Sequence, residues 1–480
     1  MEIIILGAYF LSLCVLFGFG IHGLILVYFY RKTLKNKRQK PPLQKDLPKV
    51  TIQLPMFNEY NVAERLIRAV CKIRYPIDKL EVQVLDDSTD DTVEIANKIV
   101  DEYRSKGYNI KYIHRTDRTG YKAGALKAGL EVAEGEFVAI FDADFVPNED
   151  FLEQTVPYFQ NKEIGLVQTR WEHLNEEFSM ITKAQALALD AHFCVEQQTR
   201  SNAGFFFSFN GTAGIWRKET ILDAGNWQAD TLTEDLDLSY RAQLKGWKFI
   251  YLNEVTSPAE LPDDINSLKI QQFRWTKGAV ETAIKLIPKI IKAKLPLKIK
   301  MECYAHLTSN IVFPFIILVA LLNIPVVFIK NSFIGVDTFY SLMSVFVFAT
   351  IATFAFYSHG QKVIHSDWKK RLLLFPVFMA GSMGMAVNNS KAIFEAIIGK
   401  KTEFIRTPKA GDSHSNTKKY TKRKISPIVI IELILAFYFV FGIGLSIYYM
   451  EIAAIPFQLM FFAGFACIGI LSLRHTLSKR

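Results

Sequence analysis

Acidic residues in this chain gather where apolar, strand-like runs end. Asp142 and Asp144 close a run of β-branched and aromatic residues through Phe141, and strand alternation sets both on one side of the chain. Two carboxylates at that spacing suit a hard divalent cation that also grips a diphosphate, and they equally fit a solvated loop. Asp86 and Asp87 follow the apolar residues 82–85 and precede Ser88, Thr89, Asp90 and Asp91. An aspartate there can bond to the base or ribose of a nucleotide, while Ser88 or Thr89 caps a following helix. Thr233, Glu234, Asp235 and Asp237 open a helical pattern that continues through Tyr240 and Leu244. Either Thr233 caps that helix and the acids favour its dipole, or Asp235 is a general base.

The sharpest block is Gln271-Gln272-Phe273-Arg274-Trp275. An isolated Arg-Trp pair reads as a membrane-surface anchor. After three acidic clusters it reads instead as a diphosphate-binding arginine beside an aromatic platform for a sugar, because guanidinium geometry matches phosphate oxygens and an indole matches the apolar face of a sugar.

These residues need a scaffold that brings strand ends together. Strand and helix patterns alternate from position 50 to about 255, with strands expected at 50–54, 81–85, 110–114, 137–141 and 164–168 and helices at 61–73, 92–103 and 122–133. That alternation predicts an α/β domain with a mostly parallel sheet and helices on both faces, whose ligands bind outside the carboxyl ends of the strands.

Half of the 480 residues are hydrophobic, concentrated in the first thirty positions and beyond about 305, which points to lipid. The segment 3–30 is long enough to cross a bilayer and is followed by Arg31, Lys32, Lys35, Lys37, Arg38 and Lys40, so 1–40 is read as a retained transmembrane anchor. The net charge of +10 then belongs largely to headgroup-facing positions, and nucleic acid is not expected as a partner. The five scattered cysteines carry neither metal-ligand spacing nor a disulfide framework. The stretch 267–303, which carries the Arg-Trp block, is amphipathic and Lys-rich and is expected on the membrane surface. A C-terminal membrane bundle, 304–480, follows with spans near 304–329, 338–357, 425–448 and 452–473. Segment 366–399 is read as interfacial or re-entrant, because a single crossing would put the basic stretch 400–424 outside. Five spans result, with the domain 41–266 and the C-terminus cytoplasmic. Tyr304, His306, Asn310, Asn388 and Asn389 are candidate pore residues or satisfied interhelical groups.

Taken in order, Leu54-Pro55-Met56-Phe57-Asn58-Glu59, Leu85-Asp86-Asp87-Ser88, Lys122-Ala123-Gly124-Ala125-Leu126, Asp142-Ala143-Asp144, Phe209-Asn210-Gly211-Thr212, Thr233-Glu234-Asp235 and Gln271-x-x-Arg274-Trp275 resemble family 2 glycosyltransferases. They resemble in particular the processive cellulose synthase and cellulose synthase-like glucan or mannan synthases. The resemblance implies a GT-A fold for 41–266 and a metal-dependent, inverting hexosyl transfer from UDP-glucose or GDP-mannose to a growing β-linked polysaccharide, which then crosses the membrane. It implies donor binding by Pro55, Asn58, Glu59, Asp86, Asp87 and Lys122, with Mg2+ or Mn2+ on Asp142 and Asp144. Asp235, with Glu234, would be the base, Arg274 and Gln271 would face the leaving diphosphate, and Trp275, Trp171, Gly211 and Thr212 would meet the acceptor.

Phe404-Ile405-Arg406-Thr407-Pro408-Lys409 resembles the gating loop of cellulose synthases, so Phe404, Thr407 and Lys409 are expected over the donor; a basic juxtamembrane linker is the other reading. The single anchor and the absence of a fused cyclic-dinucleotide-binding domain look more like the mannan and glucan backbone synthases. Partners are then a nucleotide sugar, a glycan or lipid acceptor and membrane lipids. Transfer of one sugar to a membrane lipid, as in ceramide glucosyltransferase, is the alternative, and a scaffold with a dead transferase domain is a third.

Overall fold

A computed structural model describes residues 1–34, 39–43, 45–332, 337–407, 409, 411 and 426–478. Lys35, Lys37 and Arg38 of the anchor's basic flank, and Pro408, Ala410 and 412–424 of the basic loop, lie outside the described residues.

Seven strands form one sheet in the order β3-β2-β1-β4-β6-β5-β7. They are β1 (Val50–Met56), β2 (Leu80–Asp86), β3 (Asn109–His114), β4 (Phe137–Ile140), β5 (Ile164–His173), β6 (Gly214–Arg217) and β7 (Lys248–Ala259). β6 runs antiparallel to β4 and β5, and the other pairs are parallel. The near-continuous apolar runs of the central strands follow from burial on both faces. Alternation divides them: Phe137, Ala139 and Phe141 join a core with Leu66, Ile67, Ile99 and Val100, while Val138 and Ile140 pack opposite with Leu126, Leu130, Trp216 and Phe249. The chain leaves β1 for β2 on one side and returns to β4 on the other, so a crevice opens beyond the carboxyl ends of β1 and β4. The acidic clusters end there.

All five expected strands form, and β5 continues to His173. β6 and β7 were not expected as strands. β6 has only Ile215 and Trp216 as apolar residues, between Gly214 and Arg217, and β7 carries a register shift that leaves Asn253 to Val255 unpaired between Leu252 and Thr256.

Among the described residues six helices are long and apolar enough to cross a membrane: Glu2–Thr33, Leu297–Ser332, Tyr340–Ile364, Trp368–Ile397, Pro427–Tyr448 and Ile452–Leu477. The fourth is the segment read from sequence as interfacial. Both of its ends are tied to segments outside the bundle: Arg371 pairs with Glu176 of the α/β domain at the start, and beyond the end Lys277 Nζ of the helix Ile265–Lys292 donates to the Lys400 carbonyl (2.5 Å). It packs along the helix Ile265–Lys292. Asn388 Nδ2 donates there to the Lys269 carbonyl (3.0 Å) and to Asn389 Oδ1 (3.1 Å). His306 is joined to the Tyr240 hydroxyl at 2.6 Å and Asn310 to Thr276 at 3.4 Å, so these side chains serve interhelical contacts. Tyr304 is exposed.

Candidate active site

One cleft collects residues from the ends of β1, β2, β4, β5 and β7, from the helix Ile265–Lys292 and from the stretch that carries Phe404, Arg406, Thr407 and Lys409. Pro55, Glu59, Asp87, Lys122, Asp142, Asp144, Trp171, Gly211, Glu234, Asp235, Gln271, Arg274, Trp275, Phe404, Thr407 and Lys409 all line it. Asn58, Asp86 and Thr212, also expected at the site, do not.

Asp86 is turned into the sheet, where it accepts from the Ser88 N–H (2.9 Å) and the Tyr112 hydroxyl (2.6 Å). Alternation at a strand end sends neighbouring side chains to opposite sides, so only Asp87 faces the cleft. Arg115 grips Asp87 bidentately, through Nε (2.8 Å) and Nη2 (2.5 Å). Asn58 is a clasp between loops, donating its N–H to Ser88 Oγ (2.8 Å) and accepting from the Thr89 N–H (2.8 Å). Neither Ser88 nor Thr89 caps the following helix Thr92–Ser105; Asp90 Oδ1 takes the Thr92 N–H at 3.0 Å. Thr212 is buried, and its Oγ1 accepts the Asp142 N–H (2.9 Å), which holds the Asp142 backbone in place.

Asp142 Oδ1 lies 2.5 Å from the Lys122 ammonium, which also donates to the Gly211 carbonyl (2.8 Å). The partner of Asp144 is the Lys409 ammonium. Gly211 has φ +78°, and a Cβ there would meet Asp235 Oδ2 at 2.9 Å, so this turn can approach the carboxylate only as glycine.

Glu234 and Asp235 begin the helix Glu234–Leu244. Thr233 makes no side-chain cap bond, and its hydroxyl pairs with that of Thr282 at 3.2 Å. Asp235 Oδ1 accepts the Leu236 N–H (2.8 Å). Burial, reinforced by the neighbouring Glu234 charge, pushes the Asp235 carboxyl up to about 7, and burial raises Glu234 as well. A carboxylate poised near neutrality is suited to accept a proton.

The helix Ile265–Lys292 starts at Asp264, whose Oδ1 accepts the N–H groups of Asn266 (2.8 Å) and Ser267 (3.0 Å). Gln271, Arg274 and Trp275 share one face by i, i+3, i+4 spacing. The Arg274 charge faces Asp142, Glu234, Asp235 and Asp144. Trp275 and Trp171 stand 6.5 Å apart at 54°.

Phe404, Arg406, Thr407 and Lys409 lie in the cleft rather than along the bundle. Phe404 sits 4.4 Å below the Arg274 guanidinium and stacks on Tyr121. Arg406 pairs with Glu59 at 2.9 Å, whose carboxyl burial nonetheless pushes up to about 7. Asn61 Nδ2 donates to the Lys409 carbonyl (3.0 Å), and the Gly411 N–H to Glu260 Oε2 (3.3 Å).

Arg115, Arg118, His173 and Glu260 escaped the sequence reading. Arg118 lines the cleft with its guanidinium 3.3 Å over the Phe57 ring. Each is a single charged or polar residue in a loop or at a strand end, with no local pattern to mark it. Among the described residues no group of three or more His, Cys, Asp or Glu side chains gathers as a metal cage. A divalent ion would therefore rest on Asp142 and Asp144 and on its ligand's own oxygens. Two ammonium groups stand on those carboxylates in this structure, which shows that the pair accepts concentrated positive charge.

Residues 48–278 match the model of the family described as glycosyltransferase like family 2. A protein of Cyamopsis tetragonoloba named glucomannan 4-beta-mannosyltransferase 1 is 45% identical over 271 residues, 55% of this chain and 52% of that protein. Glucomannan 4-beta-mannosyltransferase 9 of Arabidopsis thaliana is 35% identical over 459 residues, 89% of this chain and 82% of its own. The chain thus matches about half the length of the first of these and most of the second. Among solved structures, a mannosyltransferase from Pyrobaculum calidifontis in complex with GDP-Man and Mn2+ superposes with a TM-score of 0.59 at 19% identity, covering 83% of this chain and 100% of that one. That likeness concerns the fold, which is of the GT-A type.

Proposed function

Starting from a chain that belongs to the family 2 glycosyltransferases, we propose that it transfers mannose from GDP-mannose, with inversion, to the end of a growing β-linked polysaccharide. The observation that carries this reading is the convergence of Asp142, Asp144, Asp235 and Arg274 from three separate segments on one cleft. The names of the relatives favour a mannosyl donor over UDP-glucose.

In this reading Asp87 and the Arg118 face receive the nucleoside, and Asp142 and Asp144 hold a divalent ion, Mg2+ or Mn2+. Bound there, the ion would neutralise charge on the diphosphate. Trp275 and Trp171 supply aromatic faces against which the acceptor sugar stacks. Asp235 takes the proton of the acceptor hydroxyl as that oxygen bonds to the anomeric carbon from the side opposite the departing diphosphate. Arg274 and Lys122 sit where negative charge grows on the leaving group. Phe404, Thr407 and Lys409 close over the donor and exclude water.

In this reading the chain sits in a membrane through its apolar helices, with the catalytic domain and Phe404, Thr407 and Lys409 on the cytoplasmic face, as the basic flank after the first helix supports. Because both ends of Trp368–Ile397 meet segments outside the bundle, that helix lies along the membrane surface, and the other five cross. The polymer leaves through the bundle they form.

The test is a turnover assay on the purified chain in membranes, with radiolabelled GDP-mannose and UDP-glucose in parallel and Mg2+ or Mn2+ present. A long, mannanase-sensitive product from GDP-mannose is expected. A short, solvent-extractable product would replace this reading with single-sugar transfer to a lipid.

A further inference from the structure

His173 is the last residue of β5, two positions after Trp171, so alternation turns both side chains to the same face of the sheet. Both line the cleft, and Trp275 adds a second indole 6.5 Å from the first. Indole faces can hold the apolar faces of a sugar but cannot distinguish its hydroxyls; that takes a directional polar group. His173 stands where one is needed.

Its ring is held from behind. Nε2 donates to Asp190 Oδ1 at 3.2 Å, which leaves Nδ1 with no hydrogen-bond partner among the described residues. Asp190 is buried and over-determined: Oδ2 accepts from Gln361 Nε2 (2.9 Å) and His365 Nε2 (3.0 Å), with Arg371 3.8 Å away. Those three residues belong to the membrane-associated segments Val347–Ile364 and Trp368–Arg371 and the turn between them. The contact is tight, since a Cβ on Gly360 would meet Ala191 Cα at 2.6 Å. Through Asp190 this support reaches the His173 imidazole. It fixes the proton on Nε2 and presents Nδ1 as an acceptor.

We propose that His173 contacts the saccharide in the acceptor subsite, its Nδ1 accepting a hydrogen bond from a hydroxyl of the sugar that stacks on Trp171 and Trp275, and that Asp190 is the positioning residue behind it. The proposal rests on the reading of the chain as a polysaccharide synthase and extends it to the residue that reads the acceptor.

The experiment uses the full chain in lipid nanodiscs, a soluble β-1,4-linked manno-oligosaccharide and GDP-mannose. Oligosaccharide binding is measured by calorimetry without donor, and initial rates are measured with each substrate varied. His173→Phe keeps the ring's size and removes the acceptor atom, whereas His173→Asn places an amide oxygen near the former Nδ1. His173→Phe is expected to weaken oligosaccharide binding and raise acceptor KM about tenfold, the scale of one lost hydrogen bond in a partly buried site, with donor KM and saturated kcat unchanged. His173→Asn should recover part of that loss, and Asp190→Asn should raise acceptor KM by a smaller factor. Unchanged acceptor KM in His173→Phe, equal loss in the Phe and Asn variants, or a parallel rise in donor KM would each overturn the assignment. If the unsubstituted chain neither binds nor extends the oligosaccharide, the polysaccharide reading itself fails. If it does both and His173→Phe behaves identically, only the role of His173 fails.

Discussion

Two carboxylate pairs line the cleft in different surroundings. Asp142 and Asp144, at the end of β4, each touch an ammonium, Lys122 for one and Lys409 for the other. Glu234 and Asp235, at the start of a helix, are buried beside each other, and their carboxyls are pushed up, that of Asp235 to about 7. Cations at the first pair favour a site for charge, while burial and like charge at the second favour exchange of a proton. The residue type is the same; the environment divides the work between holding a diphosphate and activating a hydroxyl.

The comparison breaks most visibly at Asp235. Asp235→Asn is expected to lower transfer by about 10³-fold or more while nucleotide binding and thermal unfolding stay unchanged, because only proton acceptance is lost. Initial rates set beside a nucleotide titration check this, and undiminished turnover would remove Asp235 as the base. Asp144→Ala acts on the other pair. It should abolish the metal-dependent part of GDP binding, as should a chelator added to the unsubstituted chain, and a binding isotherm indifferent to both would sink the metal assignment.

The pH profile sharpens the contrast. Asp235 has a raised pKa, so it is protonated and idle below about 7; kcat/KM should fall as pH drops through that value and level off above it. Glu234→Gln removes the neighbouring like charge and should move the acid limb to lower pH, whereas a limb that stays in place would assign the titration elsewhere. The smallest effect is expected at Lys409. Its ammonium competes with a divalent ion for Asp144, so Lys409→Met should tighten Mn2+ binding about fivefold in the absence of donor, as read by spin-resonance titration. Weaker Mn2+ binding would show that Lys409 supports the ion rather than displacing it.

Much of the fold was legible because the central strands are short apolar runs bounded by turns and separated by helical periodicity. β6 and β7 were not: two apolar residues between Gly214 and Arg217 make no run, and the bulge at Asn253 to Val255 breaks the alternation that marks a strand. At the site, the residues that end apolar strands stood out, and Asp87, Asp142, Asp144 and Asp235 all reach the cleft. Asp86 could not be separated from Asp87 by type, since only the direction of the last strand residue sends one inward to Tyr112 and the other to Arg115. Arg118 and Glu260 left no local pattern, because each acquires its surroundings from segments far away in the chain.

By itself, the sequence determined the α/β scaffold, the apolar helices, the acidic strand ends and the Gln-x-x-Arg-Trp block, since periodicity, charge and spacing are local properties. Only the tertiary structure decided which carboxylate meets an ammonium and which is buried. Packing alone brought Trp171 to Trp275, drew Asp190 under His173 and laid Phe404, Arg406, Thr407 and Lys409 across the cleft. Those relations depend on desolvation and on distances between segments far apart in the chain, 265 positions for Asp144 and Lys409 and 348 for Asn61 and Lys409, and no window along a chain contains them.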